Sequence, residues 1–203
     1  LGFLSDKNIL PNPKIRILLQ IFILLGLAIF SQLKIINLEN YYLNAILENR
    51  LFNIFFTVFC LAILINGSNF LDGLNGLLSG YYLMVIISII YVGNNYNNID
   101  LIFENELKIL FFSLLIFFIF NILGKVYLGD GGSYLIATLI GYYLIKFSLS
   151  NSDVSPYYIA VLLWYPAFEN LFSLTRRLLG KNKISSPDNE HLHQLVFLFI
   201  KSK

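Results

Sequence analysis

The chain of 203 residues is poor in charge, cysteine and histidine. Charged residues make up 13% of it and the net charge is +2. The Lys and Arg side chains are scattered rather than pooled, so a nucleic-acid interface is excluded. Cys60 is the single cysteine and lies within an apolar run, which rules out a disulfide framework or a cysteine metal centre and leaves Cys60 to fill space. The imidazole supply is His191 and His193 alone. No Walker-type phosphate loop is present. Leu1 to Pro13 reads as neither signal nor transit peptide, and the chain, starting at Leu1, is expected to begin part-way through a longer protein.

What fills the chain is apolar: 57% hydrophobic residues, with a mean hydropathy of +0.71. That composition predicts an all-α, polytopic bundle of transmembrane helices. A spanning helix needs about 20 apolar residues, and runs near 16–36, 51–68, 74–93, 107–123, 133–149 and 157–175 meet the need. A further apolar run, Leu195 to Ile200, reaches the end of the chain, and the single membrane domain over 1–203 is expected to be incomplete at both ends.

Six spans sort the polar segments onto two sides. Leaving out the tail, one side collects Lys7, Lys14, Arg16, Lys125, Arg176, Arg177, Lys181 and Lys183, eight basic residues; the other has four, Lys34, Arg50, Lys108 and Lys146. The positive-inside rule makes the first side cytoplasmic. The segments equipped for chemistry fall on that side too, so a soluble charged substrate would be met from the cytosol.

Asn66-Gly-Ser-Asn69-Phe-Leu-Asp72-Gly-Leu-Asn75-Gly76 joins two spans. On a helical turn Asn66, Asn69 and Asp72 share a face, suited to a cation or phosphate; a capped turn is the structural alternative. Lys125-Val-Tyr127-Leu-Gly129-Asp130-Gly131-Gly132-Ser133 precedes another span. Free N–H groups at that helix start would favour an anion, with Asp130 as an N-cap the alternative. Asp6 near the N-terminus reads as a loop acid or cap. Asp188-x-x-His191-Leu-His193 could bind a metal, serve as acid and base, or donate to phosphate; a solvated loop is the alternative. Glu169, inside the last apolar run, calls for a partner or a wet cavity, and Arg176 lies about two turns on. Taken together, carboxylates and Asn carbonyls suit Mg²⁺, and Lys, Arg and His suit phosphate.

In order and spacing, Asn66-x-x-Asn69-x-x-Asp72-Gly73, Lys125 to Ser133 and Asp188-x-x-His191-Leu-His193 resemble the polyprenyl-phosphate N-acetylhexosamine-1-phosphate transferase family, glycosyltransferase family 4. Gly2-Phe3-x-x-Asp6, Lys14, Gln20, Pro166, Arg176 and Arg177 add to the likeness. The resemblance implies transfer of a sugar 1-phosphate from a UDP-N-acetylhexosamine to a polyprenyl phosphate, with UMP released, in a bacterial plasma membrane. By the same resemblance Asn69 and Asp130 would hold Mg²⁺, or Mn²⁺ in its place, and Asp72 would be an essential acid. Asn75 would bond the uracil and Tyr127 stack on it. Lys125, Arg176, Arg177, His191 and His193 would hold the diphosphate and sugar, and Asp6 would deprotonate or orient the lipid phosphate. The His-Leu-His form resembles the branch that starts surface polysaccharides or teichoic acid linkage units. Adjacent aspartates are usual in the first motif, where Ser5 precedes Asp6 here. A homodimer is a further expectation. The alternative from another class is a catalytically degenerate scaffold or lipid-binding subunit.

Overall fold

The computed structural model describes residues 1–10, 12–95, 100–151 and 153–179. Among them nine helices run in order: α1 (Gly2–Asp6), α2 (Pro13–Phe30), α3 (Tyr41–Leu47), α4 (Arg50–Leu71), α5 (Leu77–Asn95), α6 (Leu101–Ile122), α7 (Gly129–Ser150), α8 (Pro156–Leu162) and α9 (Trp164–Leu179). The chain is all-helical, and α2, α4, α5, α6 and α7 are each long and apolar enough to cross a membrane.

Helix starts follow local chemistry. Asn12 accepts the Lys14 N–H and Pro13 opens α2; Asn49 accepts from Leu51 and Phe52 at the start of α4; Ser155 caps α8 ahead of Pro156. Each side-chain oxygen takes one of the N–H groups a helix leaves without an internal partner.

α4 is the central helix, packed against α2, α7 and α9, with α5 and α6 paired beside α7. The core between them is mainly aliphatic, with Leu24, Leu61, Ile65, Ile86, Ile140 and Leu144 buried alongside the aromatic Tyr82 and Phe147. α2 and α6 leave much of their apolar surface outside, as helices facing lipid do. An apolar cleft of about 330 Å³ runs between α4, α7, α8 and α9, lined by Phe56, Cys60, Leu64, Leu144, Ile159 and Leu163.

Two expected spans differ from the fold. The first ends at Phe30 rather than near residue 36. Beyond it the backbone unwinds, because buried Asn53 of α4 accepts the Ile35 N–H at 3.1 Å and donates to the Ile35 carbonyl at 2.7 Å. Non-helical backbone is tolerated at membrane depth where protein groups satisfy it.

The sixth span is corrected outright: α8 and α9 are two shorter helices broken at Leu163. Pro166 lacks the N–H that would bond the Leu162 carbonyl, and the Tyr81 hydroxyl donates to that carbonyl instead. α9 is also inside-out. Pro166, Glu169 and Ser173 are buried while Trp164, Phe168, Leu171 and Phe172 are exposed, the polarity expected of a helix with lipid on its outer side. Its inner face closes on α4 at Gly67, where a side chain would collide with the Pro166 carbonyl, and the Asn170 amide donates to the Ile63 carbonyl at 3.0 Å.

Candidate active site

The end of α1, the end of α4 and the start of α7 converge at one rim of the bundle. The first turn of α7 presents N–H groups without helical partners. Both oxygens of Asp6 take two of them: Asp130 N–H donates to Oδ1 at 2.9 Å and Gly131 N–H to Oδ2 at 3.0 Å. Asp72, the C-cap residue just beyond α4, accepts the preceding one, from Gly129. The helix terminus that the sequence offers as an anion seat is therefore filled by two carboxylates of the same chain.

The glycines there serve this close approach. Gly129 has φ +64°, and a side chain on it would meet the Asp6 carboxylate at 3.1 Å. At Gly131 it would meet both Asp6 and the Phe3 backbone. The run whose free N–H groups are expected from sequence to favour an anion is the seat of α1, and helix α7 begins within it.

Asp130 turns its own carboxylate to a different set of partners. Ser5 Oγ donates to Oδ2 at 2.5 Å, and the Arg16 guanidinium lies 3.1 Å from the same oxygen. Arg16 also donates to Ser5 Oγ. Next to it, Asn69 Oδ1 accepts the buried Ser133 hydroxyl at 2.9 Å, which ties α4 to the second turn of α7.

Asp72, Asp130 and Asp6 feel one another. Burial, followed by the negative charges of Asp130 and Asp6, pushes the Asp72 carboxyl up to about 6, against the lowering effect of the Gly129 N–H. At neutral pH such a group is ionised at a cost, and a nearby cation would relieve the burial and like-charge repulsion that disfavour its charge. No cluster of three or more His, Cys, Asp or Glu that could hold a metal ion occurs among the described residues. The donor set of Asp72, Asp130 and the Asn69 carbonyl still fits Mg²⁺, which takes one or two carboxylates and completes its shell with water and substrate phosphate.

A second pair of loops borders this cluster. Asn121, buried near the end of α6, accepts the Gly76 N–H at 2.7 Å and donates to the Val126 carbonyl at 2.8 Å. One side chain thus fixes both the 72–76 and the 123–128 segments, bringing Asn75 alongside Gly124. Tyr127 is exposed, and Lys125 Nζ lies 6.0 Å from the Phe120 ring. Asn75, Lys125 and Tyr127 therefore stand on adjoining loops. Arg176 places its guanidinium 5.2 Å from the Phe172 ring on α9. Arg177 belongs to α9 by its backbone; its side chain, with Asp188, His191 and His193, lies outside the described residues. Arg16 and Asn121 enter the site from outside the motifs, and Ser5 and Ser133, which stand within them, had no role assigned. Arg16 differs from other basic residues only in its tertiary partner, which no local spacing reveals.

Residues 1–148, which carry all of this rim, match the glycosyl transferase family 4 model. The chain belongs to glycosyl transferase family 4. It is 32% identical over 147 residues, 72% of the chain, to the undecaprenyl-phosphate alpha-N-acetylglucosaminyl 1-phosphate transferase of Thermotoga maritima, covering 43% of that protein. A probable undecaprenyl-phosphate N-acetylglucosaminyl 1-phosphate transferase of Bacillus subtilis is 30% identical over 98% of the chain, covering 55% of its own length. An undecaprenyl-phosphate alpha-N-acetylglucosaminyl 1-phosphate transferase of Escherichia coli K12 is 26% identical over 97% of the chain and 54% of its own length. The family 4 chain thus spans about half the length of these relatives. No solved structure matches it.

Proposed function

We propose that the chain forms the membrane-embedded part of an enzyme that transfers N-acetylhexosamine 1-phosphate from a UDP-sugar to a polyprenyl phosphate. The reaction releases UMP and opens the synthesis of a cell-envelope polysaccharide. The observation that carries this reading is the convergence of Asn69, Asp72 and Asp130 beside the α7 N-terminus, in a chain of this family. A rim that meets a soluble UDP-sugar faces the cytoplasm of a bacterium.

An oxygen of the lipid phosphate attacks the β-phosphorus of the UDP-sugar, and the bond from that phosphorus to the bridging oxygen breaks as UMP leaves. Bringing two anions together is the obstacle, so catalysis is mainly positioning and neutralisation. Asp130 and Asn69 would hold Mg²⁺, or Mn²⁺ in its place, with Asp72 completing the acidic wall. When bound, Mg²⁺ stabilises charge on the departing UMP. Asn75 and Tyr127 receive the uracil. Lys125, Arg176, Arg177, His191 and His193 hold the diphosphate and sugar. Asp6, its oxygens engaged by two backbone N–H groups, serves in orientation. The apolar cleft along α4 and α7 gives the isoprenoid chain of the acceptor a bed at membrane depth.

The test is release of UMP from UDP-N-acetylglucosamine on addition of undecaprenyl phosphate and Mg²⁺ to protein reconstituted in lipid. Release that needs both acceptor and metal supports the reading. Folded protein that releases none from any UDP-N-acetylhexosamine favours the rival, a degenerate scaffold, to which Ser5 in the first motif lends weight.

A further inference from the structure

Arg16 stands at the membrane entrance of α2, and its sequence neighbours Ile15, Ile17, Leu18 and Leu19 are exposed on the outside of the bundle. Its guanidinium instead turns inward, 3.1 Å from Asp130 Oδ2, and is steadied by Ser5. Where the family usually carries aspartate, Ser5 is neutral, so the positive charge at this point answers to Asp130. The two side chains are 28% and 24% exposed, and an ion pair so open to solvent is easily exchanged. A divalent cation on Asp130 would meet a like charge at close range, which cation and guanidinium cannot both accommodate at full strength. Arg16 thus stands between Asp130 and the exposed apolar side chains that flank it on α2. Its planar fork suits phosphate oxygens.

We propose that Arg16 is an exchanging counter-ion: it holds Asp130 in the metal-free protein and, displaced by the divalent cation, takes the phosphate of the lipid acceptor. This rests on Asp130 being a metal ligand and extends that reading to a residue outside the sequence motifs. It couples arrival of the metal to exposure of a phosphate receptor.

The experiment titrates Mn²⁺ into the reconstituted chain by electron paramagnetic resonance, without substrate, and then titrates farnesyl phosphate in the presence of saturating Mn²⁺. Arg16→Gln should bind Mn²⁺ about tenfold more tightly and farnesyl phosphate about tenfold more weakly, whereas Arg16→Lys, which keeps the charge, should hold Mn²⁺ affinity within about twofold of the parent. Should the Gln variant fail to accumulate, Arg16→Met serves in its place. A merely structural arginine would move both affinities in the same direction, or leave them alone while lowering the melting temperature, and either result overturns the proposal. Tighter Mn²⁺ binding with unchanged farnesyl phosphate binding overturns its acceptor half. Parent protein whose Mn²⁺ binding survives Asp130→Asn, or which binds no Mn²⁺, removes the metal-site reading itself and the proposal with it.

Discussion

Replacing Asp72 by Asn should make the metal-free protein more stable at neutral pH while abolishing transfer. Asp72 is pushed up to about 6 by burial and by the charges of Asp130 and Asp6, against about 3.9 for an unperturbed Asp. A carboxyl raised on folding contributes stability that is fully present below the unfolded value and is lost as pH rises through about 6. Above that pH the folded state carries an ionised group that burial and like charge disfavour. Raising a carboxyl this far costs its ionised form roughly 3 kcal/mol without screening; discounted for solvent at this rim, about 1 kcal/mol is the expected penalty. Asn removes the charge and keeps an oxygen for the Gly129 N–H. In a chain of this size a gain of about 1 kcal/mol raises the melting temperature by roughly 2–4 °C. The assay is thermal unfolding of detergent-solubilised protein with chelator, at pH 7.5 and pH 4. Asp72→Asn should melt higher at pH 7.5, with the gap closing towards pH 4 as Asp72 takes up its proton. A variant that melts lower at pH 7.5, or a gap that ignores pH, would refute the electrostatic account of this rim.

Other consequences are independent of that charge balance. Asn121→Leu strands the Gly76 N–H and the Val126 carbonyl, and should cost about 2 kcal/mol, seen as a lower melting temperature and faster amide exchange in both loops. Gly67→Ala should drive α9 off α4, since the added methyl meets the Pro166 carbonyl; poor accumulation in the membrane, or protease cleavage within α9, is the readout. Tyr81→Phe removes the donor to the Leu162 carbonyl and should cost about 1 kcal/mol in thermal unfolding. Undecaprenyl phosphate carrying a photoactivatable group on its isoprenoid chain should crosslink to the lining of the apolar cleft, at Leu144 or Ile159; crosslinks confined to other helices would place the prenyl chain elsewhere.

Hydrophobic run length located the spanning helices closely because lipid demands continuous apolar helix. Boundaries moved where tertiary partners intervened. α6 begins at Leu101, ahead of the expected 107, with a charged turn held by the Lys108–Glu104 pair at 2.7 Å. α7 begins at Gly129 inside a run read as loop, because Asp6 and Asp72 supply the acceptors its first N–H groups need. The break at Leu163 was signalled by Pro166, yet its repair by Tyr81 joins residues 81 apart in the chain. At the site, the motif spacing singled out Asn69, Asp72 and Asp130. It could not single out Ser5 and Arg16, whose meaning comes from contacts with Asp130 across 125 and 114 residues. Alternation of polar segments between two faces gave the shared rim, whereas which carboxylate caps a helix and which pairs with Arg16 is decided by three-dimensional packing.

The central claim is that the Asp72–Asp130 rim holds one divalent cation together with a nucleotide diphosphate. Mn²⁺ electron–nuclear double resonance on the reconstituted chain with UDP-N-acetylglucosamine addresses it directly. The account predicts phosphorus coupling to the bound Mn²⁺ that disappears in Asp130→Asn. Mn²⁺ bound without any phosphorus coupling, or a coupling that persists in that variant, would contradict it.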